Sequence, residues 1–518
     1  MKQISILWAD DEIDLLKPHI IFLSEKGYQI TTCTNGADAI SLIEQTDFDI
    51  ILLDEHMPGL SGLETLTAMK AIKPDIPVIM ITKNEEENLM NDAIGSKIAD
   101  YLIKPVNPKQ ILISVKKLTE QKRLVSEKTT INYQTEFRQI GMLIQEASTF
   151  QQWTELYNKL VFWEIELSQI QDTGLIEILN SQRRDANINF AKYIRKNYLS
   201  WINGKGEKPQ LSHTLIKDKV FPHIDSSGPV FLIVIDNLRL DHWKMITPLI
   251  TEFYKIDYEE LYCSILPTVT QYARNALFAG LMPLSIRKIY PNLWEADDES
   301  DLNNRYEADL LKRQLSRLGT GEKLAYEKIS NLKTGRKLVD NISNYMNNDL
   351  VVVVYNFMDI LSHARTDLDT IRELANDEAA YRTLTLSWFQ HSYLFDLIKA
   401  LAQLRCKIIV TTDHGSIKVN NAIKVIGDKE TTVNLRYKQG RNLNYNPKEV
   451  FEVTDPESYQ LPKFNVSTSY IFATNDDFMA YPNNFNHYFN FYKNTFQHGG
   501  ISMEEMLIPF AVLSPLGT

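Results

Sequence analysis

FDIILLD, at residues 48–54, is an apolar run that ends on a carboxylate. Its aliphatic side chains are typical of a strand buried on both faces of a parallel sheet. Comparable runs lie on either side of it: ISILWA at 4–9, YQITTC at 28–33, PVIMIT at 77–82 and DYLIKP at 100–105. Amphipathic stretches of helical period separate these runs. The alternation predicts a doubly wound α/β domain over residues 1–118.

Side chains that suit phosphate chemistry follow the ends of these predicted strands: Asp10, Asp11, Asp54, Thr82 and Lys104. Because the carboxyl ends of parallel strands share one edge, the side chains can meet in one crevice. Clustered carboxylates need a cation among them, and Mg²⁺ prefers such oxygen ligands. Asp54 is then the natural phosphoryl acceptor, with Lys104 to neutralise the phosphoryl oxygens and Thr82 to hydrogen-bond the product. The loop after Thr82 would then move inward, and the Tyr101 side chain would swing between exposed and buried positions.

Taken singly, an aspartate at a strand end can be only a helix cap. The whole set, in this order and spacing, resembles the CheY-like receiver domains of response regulators over residues 1–118. The resemblance implies a role for each side chain: Mg²⁺ binding by Asp10 and Asp11, phosphorylation of Asp54, switching by Thr82, and phosphate pairing by Lys104. It also implies that the backbone carbonyl of His56 joins the metal ligands, and that a cognate histidine kinase is a partner.

Residues 119–205 change to long amphipathic stretches, which predict a helical-bundle linker domain. They include FRQIGMLIQEA at 137–147, WTELYNKLVFWEIEL at 153–167 and NFAKYIRKNYLSWI at 189–202. GKGEKPQ at 204–210 is rich in Gly, Lys and Pro and has no apolar period, which predicts a linker. Basic residues between Arg183 and Lys208 are typical of a solvated helix face. The net charge of -11 argues against broad binding to nucleic acid.

The rhythm of strands and helices returns over residues 206–518 and predicts a second α/β domain. VFLIVID at 230–236, DLVVVVYNF at 349–357 and CKIIVTTDHG at 406–415 read as central parallel strands. The polar stretches near 295–348 and 420–495 read as insertions or caps on this sheet.

Metal-ligating side chains follow the ends of these strands: Asp236, Asp359, His363, Asp413 and His414, with His498 in the later QHGG. Asp359 and His363 are four residues apart, so they would lie on one helical face and hold one ion together. Three Asp and three His suffice for two metal ions. Imidazole and carboxylate ligands favour Zn²⁺, with Mn²⁺ as an alternative.

LPTVTQYARN at 266–275 supplies a nucleophile, Thr270, after a proline turn and ahead of a predicted helix. A metal ion could lower the pKa of its hydroxyl, and the helix terminus could attract phosphate. Each residue also has an ordinary alternative: Asp236 as a helix cap, His414 as a buried hydrogen-bonded imidazole, and Thr268 with Thr270 as turn formers.

The ordered set resembles the alkaline phosphatase superfamily, and within it the PglZ-type domains, over about residues 210–518. The resemblance implies one zinc ion on Asp359, His363 and His498, and a second on Asp236, Asp413 and His414. It implies Thr270 as nucleophile, as in phosphodiesterases and nucleotide pyrophosphatases. Sulfatases of this superfamily use a modified Cys or Ser. Thr270 cannot undergo that modification, which disfavours sulfatase activity.

Arg274 and Asn275 are candidates to bind the nonbridging phosphate oxygens, because a guanidinium matches that geometry. Nucleotide pyrophosphatases carry an Asn three residues after the nucleophile, whereas this chain has Ala273 there.

The order of receiver, helical linker and PglZ-type domain resembles the PorX-type response regulators associated with type IX secretion. The function expected is that of a regulator, phosphorylated on Asp54, that controls a zinc-dependent phosphodiesterase acting on nucleotides or oligonucleotides. Phosphorylation is expected to alter homodimerisation. The alternative is a non-catalytic zinc-containing scaffold that binds a sigma factor or secretion component. A DNA-binding transcription factor is disfavoured, since the sequence has no recognisable helix-turn-helix and no concentrated basic face.

A cytoplasmic location is expected from three features. The start of the chain, MKQISILWADDE, is unlike a secretory signal. The apolar runs are far shorter than the roughly 20 residues that span a bilayer. Cys33, Cys263 and Cys406 form neither a disulfide framework nor a CxxC motif.

Overall fold

The structure is a computed structural model. It describes residues 3–517 except 75, 84–97, 171, 225–227, 295–304, 320–322, 357–376 and 429–430, and of residues 119–127 it describes the backbone only. The chain divides into two compact units, Met1–Asn132 and Tyr133–Thr518. Asp359 and His363 lie outside the described residues.

The first unit contains a five-stranded parallel sheet in the order β2-β1-β3-β4-β5. Its strands are β1 Ser5–Ala9, β2 Gln29–Cys33, β3 Ile50–Asp54, β4 Val78–Thr82 and β5 Asp100–Ile103. Its first helices are α1 Lys17–Glu25, α2 Gly36–Gln45 and α3 Gly62–Ile72. β3 and β4 are buried throughout because they lie inside the sheet with side chains packed on both faces. The predicted doubly wound α/β fold of this domain is confirmed.

Long helices follow: α4 Pro108–Glu146, α5 Phe150–Ile170 and α6 Thr173–Ile202. The division between the two units falls within α4. In the second unit, Trp153 of α5 packs against Phe190 of α6 with ring centroids 5.4 Å apart. Buried side chains of α5 and α6 belong to the same apolar cluster as those of the C-terminal sheet. The linker helices therefore share a core with the C-terminal domain.

The C-terminal domain is built on a six-stranded sheet in the order β7-β18-β10-β6-β9-β8. Its strands are β6 Val230–Ile235, β7 Tyr254–Cys263, β8 Leu324–Ile329, β9 Leu350–Tyr355, β10 Lys407–Thr411 and β18 Leu507–Pro515. β10, β6, β9 and β8 are parallel, whereas β18 runs antiparallel to both β10 and β7. The predicted second α/β domain is thereby confirmed.

The second unit contains ten further α-helices among the described residues. They are α7 Ser212–Leu215, α8 Leu240–Ile250, α9 Thr270–Ala279, α10 Pro283–Ile289, α11 Glu307–Leu318, α12 Leu332–Asp340, α13 Glu378–Gln390, α14 Tyr393–Gln403, α15 Phe485–Tyr492 and α16 Met503–Met506. No described helix is both long enough and apolar enough to span a membrane.

Smaller sheets fill the region between β10 and β18. They pair β11 Ile417–Lys418 with β17 Phe496–Gln497, β12 Asn421–Lys424 with β16 Asp477–Ala480, and β15 Thr468–Ala473 with both β13 Tyr437–Arg441 and β14 Val450–Val453. Residues 420–495 are therefore an insertion, as predicted. Residues 295–348 were also predicted to be an insertion or a cap, but they contribute β8, an edge strand of the sheet itself. An edge strand is partly exposed, so its sequence, LAYEKI, lacks the continuous apolar run of a central strand.

Candidate functional site

Two buried carboxylates lie at the carboxyl edge of the first sheet. Asp10 directly follows β1, Asp54 ends β3, and their exposed fractions are 0% and 2%. Asp11 is exposed, but it offers an oxygen within 4.8 Å of oxygens of the other two. The predicted acidic cluster is therefore brought together at one point, with the donors that suit a divalent cation.

Lys104 reaches into this cluster. Its Nζ lies 2.9 Å from Asp10 Oδ2 and 3.1 Å from Asp54 Oδ1. Burial and the negative charge of Asp10 raise the pKa of Asp54 to about 6, although Lys104 acts in the opposite direction. A single lysine therefore does not compensate the carboxylates, which gives a divalent cation an electrostatic reason to bind there.

Thr82 ends β4 and is buried, and Tyr101 on β5 is half-buried. Burial raises the pKa of Tyr101, while a side-chain hydrogen bond with Thr82 opposes that shift. The two predicted switch residues are therefore in contact. The His56 side chain is exposed. The prediction for this residue concerns its backbone carbonyl.

Glu12 belongs to the same edge and was missed by the sequence reasoning. Its Oε2 lies 2.9 Å from Lys83 Nζ and 4.0 Å from Lys104 Nζ. The signal was its position directly after the Asp10–Asp11 pair.

The second cluster lies at the carboxyl ends of β6 and β10. Asp236 follows β6, while Asp413 and His414 follow β10 within two and three residues. All three side chains are buried, and each offers a ligand atom within 4.8 Å of the others. β6 and β10 are neighbouring parallel strands, so their polar ends meet at one edge.

Thr270, the first residue of α9, faces this cluster. Its Oγ1 donates a hydrogen bond to Asp236 Oδ1 at 3.3 Å and lies 3.1 Å from His414 Nε2. His414 Nδ1 donates to the carbonyl of Gly415 at 3.1 Å, so in the neutral ring Nε2 carries the lone pair. That tautomer is the one that can bind a metal ion through Nε2.

Arg274, one turn further along α9, points its guanidinium at carboxylates. Nη1 lies 2.7 Å from Asp236 Oδ2 and 3.8 Å from Asp413 Oδ2, while Nε lies 2.8 Å from Glu307 Oε1. The side chain is 1% exposed. Asn275 is buried beside it in the same helix. Sequence reasoning missed Glu307, which lies in the segment that it treated as an insertion.

The electrostatics of this cluster are unequal. Burial and the charge of Asp236 raise the pKa of Asp413 to about 6. Burial also acts to raise the pKa of Asp236, but Arg274 and His414 outweigh it, and the pKa lies below its ordinary value. Asp413 Oδ2 is buried and has no hydrogen-bond partner among the described residues. An orphaned buried carboxylate oxygen beside an imidazole lone pair fits a divalent metal ion.

His498 is the last predicted ligand that the described residues place beside this cluster. Its ring stacks on that of His414, with centroids 4.3 Å apart and planes at 17°. Its Nδ1 donates to the carbonyl of Thr268 at 3.2 Å. The pairing of β11 with β17 joins the two histidine-bearing segments. Asp359 and His363, the other predicted ligands of that ion, lie outside the described residues.

The fold and the two sites define a receiver joined to a phosphatase-like effector. A family model described as the BREX system PglZ alkaline phosphatase-like domain matches residues 215–513, more than half of the chain, so the chain belongs to the PglZ family. Models described as the response regulator receiver domain and the PorX response regulator linker domain match residues 6–116 and 123–202. In this order, the three matches make the chain a PorX-type response regulator.

Curated relatives match about a quarter of the chain. The response regulator SaeR of Staphylococcus aureus is 34% identical over 113 residues, which are 22% of this chain and 49% of the relative. The transcriptional regulatory protein ZraR of Klebsiella oxytoca is 29% identical over 140 residues, 27% of this chain and 32% of the relative. The chain thus spans about a third to about half of the length of these relatives.

A solved CheY-like receiver from Methanospirillum hungatei JF-1 is 27% identical and covers 24% of this chain and 98% of its own, with a TM-score of 0.23. Receiver and alkaline phosphatase-like domains both typically bind divalent metal ions.

Proposed function

We propose that this response regulator controls a zinc-dependent phosphodiesterase that acts on nucleotides or oligonucleotides, with Thr270 as its nucleophile. The observation that carries the proposal is the position of Thr270 Oγ1, which lies 3.1 Å from His414 Nε2 and 3.3 Å from Asp236 Oδ1. A nucleophilic hydroxyl needs such a setting because it is weak at its ordinary pKa.

Two ligand sets would hold zinc: Asp236, Asp413 and His414 for one ion, and Asp359, His363 and His498 for the other. When bound, zinc supplies Lewis-acid stabilisation of negative charge and lowers the pKa of a neighbouring hydroxyl. The orphaned Asp413 Oδ2 and the Nε2 lone pair of His414 support the first set.

Thr270 Oγ1 would attack the phosphorus atom and release the first alcohol as the P–O bond to it breaks. Water would then hydrolyse the phosphothreonine and regenerate the hydroxyl. Backbone N–H groups at the start of α9 face the same end as Thr270 and favour an anionic phosphate. The contacts of Arg274 with Asp236 and Glu307 favour a role in holding Asp236, with Asn275 as the remaining candidate for a nonbridging oxygen.

In the receiver, a histidine kinase would supply the phosphoryl group to Asp54. Mg²⁺ would be held by Asp10, Asp11, Asp54 and the carbonyl of His56. Lys104 and Thr82 would contact the phosphoryl oxygens, and the contact between Thr82 and Tyr101 would change. We propose that this event changes homodimerisation and so controls the effector in the cytoplasm, as part of the regulation of type IX secretion.

Hydrolysis of bis(4-nitrophenyl) phosphate by zinc-loaded full-length protein tests the enzyme. Thr270→Ala is expected to lower turnover by more than about 1000-fold, since the nucleophile is removed. Thr383→Ala is the matched control, because Thr383 is an exposed threonine of α13, and it is expected to keep wild-type turnover. If zinc-loaded wild type does no better than Thr270→Ala, the scaffold that binds a sigma factor or secretion component replaces this proposal.

A further inference from the structure

A buried cluster of ion pairs joins the linker helices α5 and α6 to the C-terminal domain. Its members come from both sides: Glu164 and Arg183 from the linker, and Arg239, Asp241, Glu378, Arg382 and Glu504 from the C-terminal domain. We call it the linker ion-pair cluster. It lies outside the two sites described above, and nothing in the proposed chemistry uses it.

Arg183 of α6 connects three carboxylates at once. Nη1 lies 3.0 Å from Glu164 Oε2, Nη2 lies 3.0 Å from Glu378 Oε1, and Nε lies 3.4 Å from Glu504 Oε1. A guanidinium can do this because its donors form a rigid planar fork. Glu164 belongs to the linker, but the other two carboxylates belong to the C-terminal domain.

Asn187, one helical turn after Arg183, adds two hydrogen bonds to the same place. Its Nδ2 donates to Glu504 Oε2 at 3.0 Å, and its Oδ1 accepts from the backbone N–H of Met503 at 2.8 Å. Asn187 and Glu504 are 3% and 2% exposed. The linker therefore fixes both the backbone and the side chain at the start of α16.

The partners of the linker lie next to the segments that carry the proposed zinc ligands. Arg239 comes three residues after Asp236, and Glu504 comes six residues after His498. Glu378 is the first residue of α13, which follows the segment with Asp359 and His363. The cluster thus holds the chain shortly after Asp236 and shortly after His498.

Gly415, the residue after His414, lies against the backbone of Glu504. A Cβ at Gly415 would overlap the backbone oxygen of Glu504, so the chain around 504 is pressed against the residue after His414. The Gly415 N–H donates to the carbonyl of Glu505 at 3.2 Å. The backbone at 504–505 is therefore in direct contact with the residue after His414.

A buried ion-pair network gives little net stability compared with apolar packing, but it fixes the positions of the groups that it joins. We propose that Arg183 and Asn187 of the linker are positioning residues of the effector site, which act through Glu504 and Glu378 to hold the segments that carry Asp236, His414 and His498 in place. The catalytic part of this inference rests on the proposed function, whereas the zinc-binding part can be measured without turnover.

Full-length Arg183→Gln tests the proposal, with Lys196→Gln as matched control because Lys196 is an exposed cation of the same helix. Zinc affinity is measured by competition with a chromogenic chelator, and thermal unfolding reports whether each variant folds. Arg183→Gln is expected to weaken zinc binding by about tenfold or more, as groups that orient metal ligands do. The control is expected to bind zinc as wild type does.

Two further readouts separate positioning from general stability. Turnover of bis(4-nitrophenyl) phosphate should show a lowered kcat with KM changed less than about threefold, because substrate contacts remain. Glu504→Gln should weaken zinc binding to a similar extent. The double variant should bind zinc no more weakly than the more affected single variant, because both substitutions remove the same contact between Arg183 and Glu504.

Wild-type zinc affinity in folded Arg183→Gln would overturn the inference, as would additive effects of the two substitutions. If wild type binds zinc but hydrolyses nothing, the proposed function fails while zinc affinity still decides this inference. If Arg183→Gln does not fold, Arg183→Lys replaces it. Lysine keeps the charge but cannot reach three carboxylates, so its zinc affinity should lie below that of wild type, and an unchanged affinity would again overturn the inference.

Discussion

Glu307 shows how one buried side chain organises the effector cluster. It is fully buried, and it accepts from Arg274 Nε at 2.8 Å and from the hydroxyl of Tyr326. Lys328 Nζ lies 3.6 Å from its Oε1. Because Glu307 fixes Arg274, the guanidinium is held 2.7 Å from Asp236, where it lowers the pKa of that carboxyl.

Removing the charge of Glu307 should therefore destabilise the second unit. Glu307→Gln is expected to lower the free energy of unfolding by about 3 kcal/mol, because a buried arginine loses part of its compensation. Urea denaturation of the chelator-treated protein measures this. Asp340→Asn, which breaks the exposed pair with Arg336, is the control and should cost less than about 0.5 kcal/mol. Equal denaturation midpoints for the two variants would contradict this account.

At the scale of elements, α9 sets the direction of the effector site. It begins at Thr270 and ends at Gly280, whose φ of 61° closes the helix in the left-handed conformation. α11 packs beside it and ends in the same way at Gly319, with φ 71°. The two C-caps differ in their surroundings, since a Cβ at Gly280 would overlap the buried amide of Gln314, whereas none of the described atoms lies within 4 Å of a Cβ at Gly319.

This difference makes the two glycines a matched pair. Gly319→Ala should destabilise the protein by about 1 kcal/mol through backbone strain alone. Gly280→Ala should cost at least about 1 kcal/mol more, because Gln314 is 3% exposed and has little room to move. Urea denaturation of both variants measures the difference. If Gly280→Ala lowers the free energy of unfolding less than Gly319→Ala does, α11 can shift to accommodate the added methyl group, and the prediction is wrong.

At the scale of the whole molecule, the chain has two compact units with separate apolar clusters. Those of the receiver lie within its first 118 residues, one on each face of the sheet. The large cluster of the second unit extends from Tyr133 to Leu513 and includes the linker helices. Units with separate cores can unfold in separate transitions.

Calorimetry should resolve these two transitions by their ligands. Mg²⁺ with beryllofluoride, a phosphoryl mimic, should raise only the receiver transition, by about 10 °C at 100-fold excess over Kd. Zinc chelation should lower only the other transition. Asp54→Asn is the control, and it should abolish the beryllofluoride shift while the chelator effect remains. A single transition that responds to both treatments would contradict the division.

Local patterns in the sequence were sufficient for much of this architecture. Apolar runs that end on Asp10, Asp54, Asp236 or Asp413 predict central parallel strands, and the shared edge of such strands predicts that their polar ends meet. The antiparallel strand β18 was not predicted, because LIPFAVLSP is apolar whichever way it runs. Glu307 was not predicted either, because its segment is polar and gives no sign of burial.

By itself, the sequence determined the order of the α/β, helical and α/β regions and the two strand-edge clusters, since these follow from periodicity and from chemistry at strand ends. Thr270 was singled out by its place after a proline turn and by the family resemblance. Only the tertiary structure decided that Arg274 turns towards Asp236 and Glu307, that His498 stacks on His414, and that Asn187 of the linker holds Glu504, 317 residues away. Such pairs depend on how the helices pack on the sheet. A local periodic pattern shows which face of an element is buried, but it does not identify the distant side chain that contacts that face.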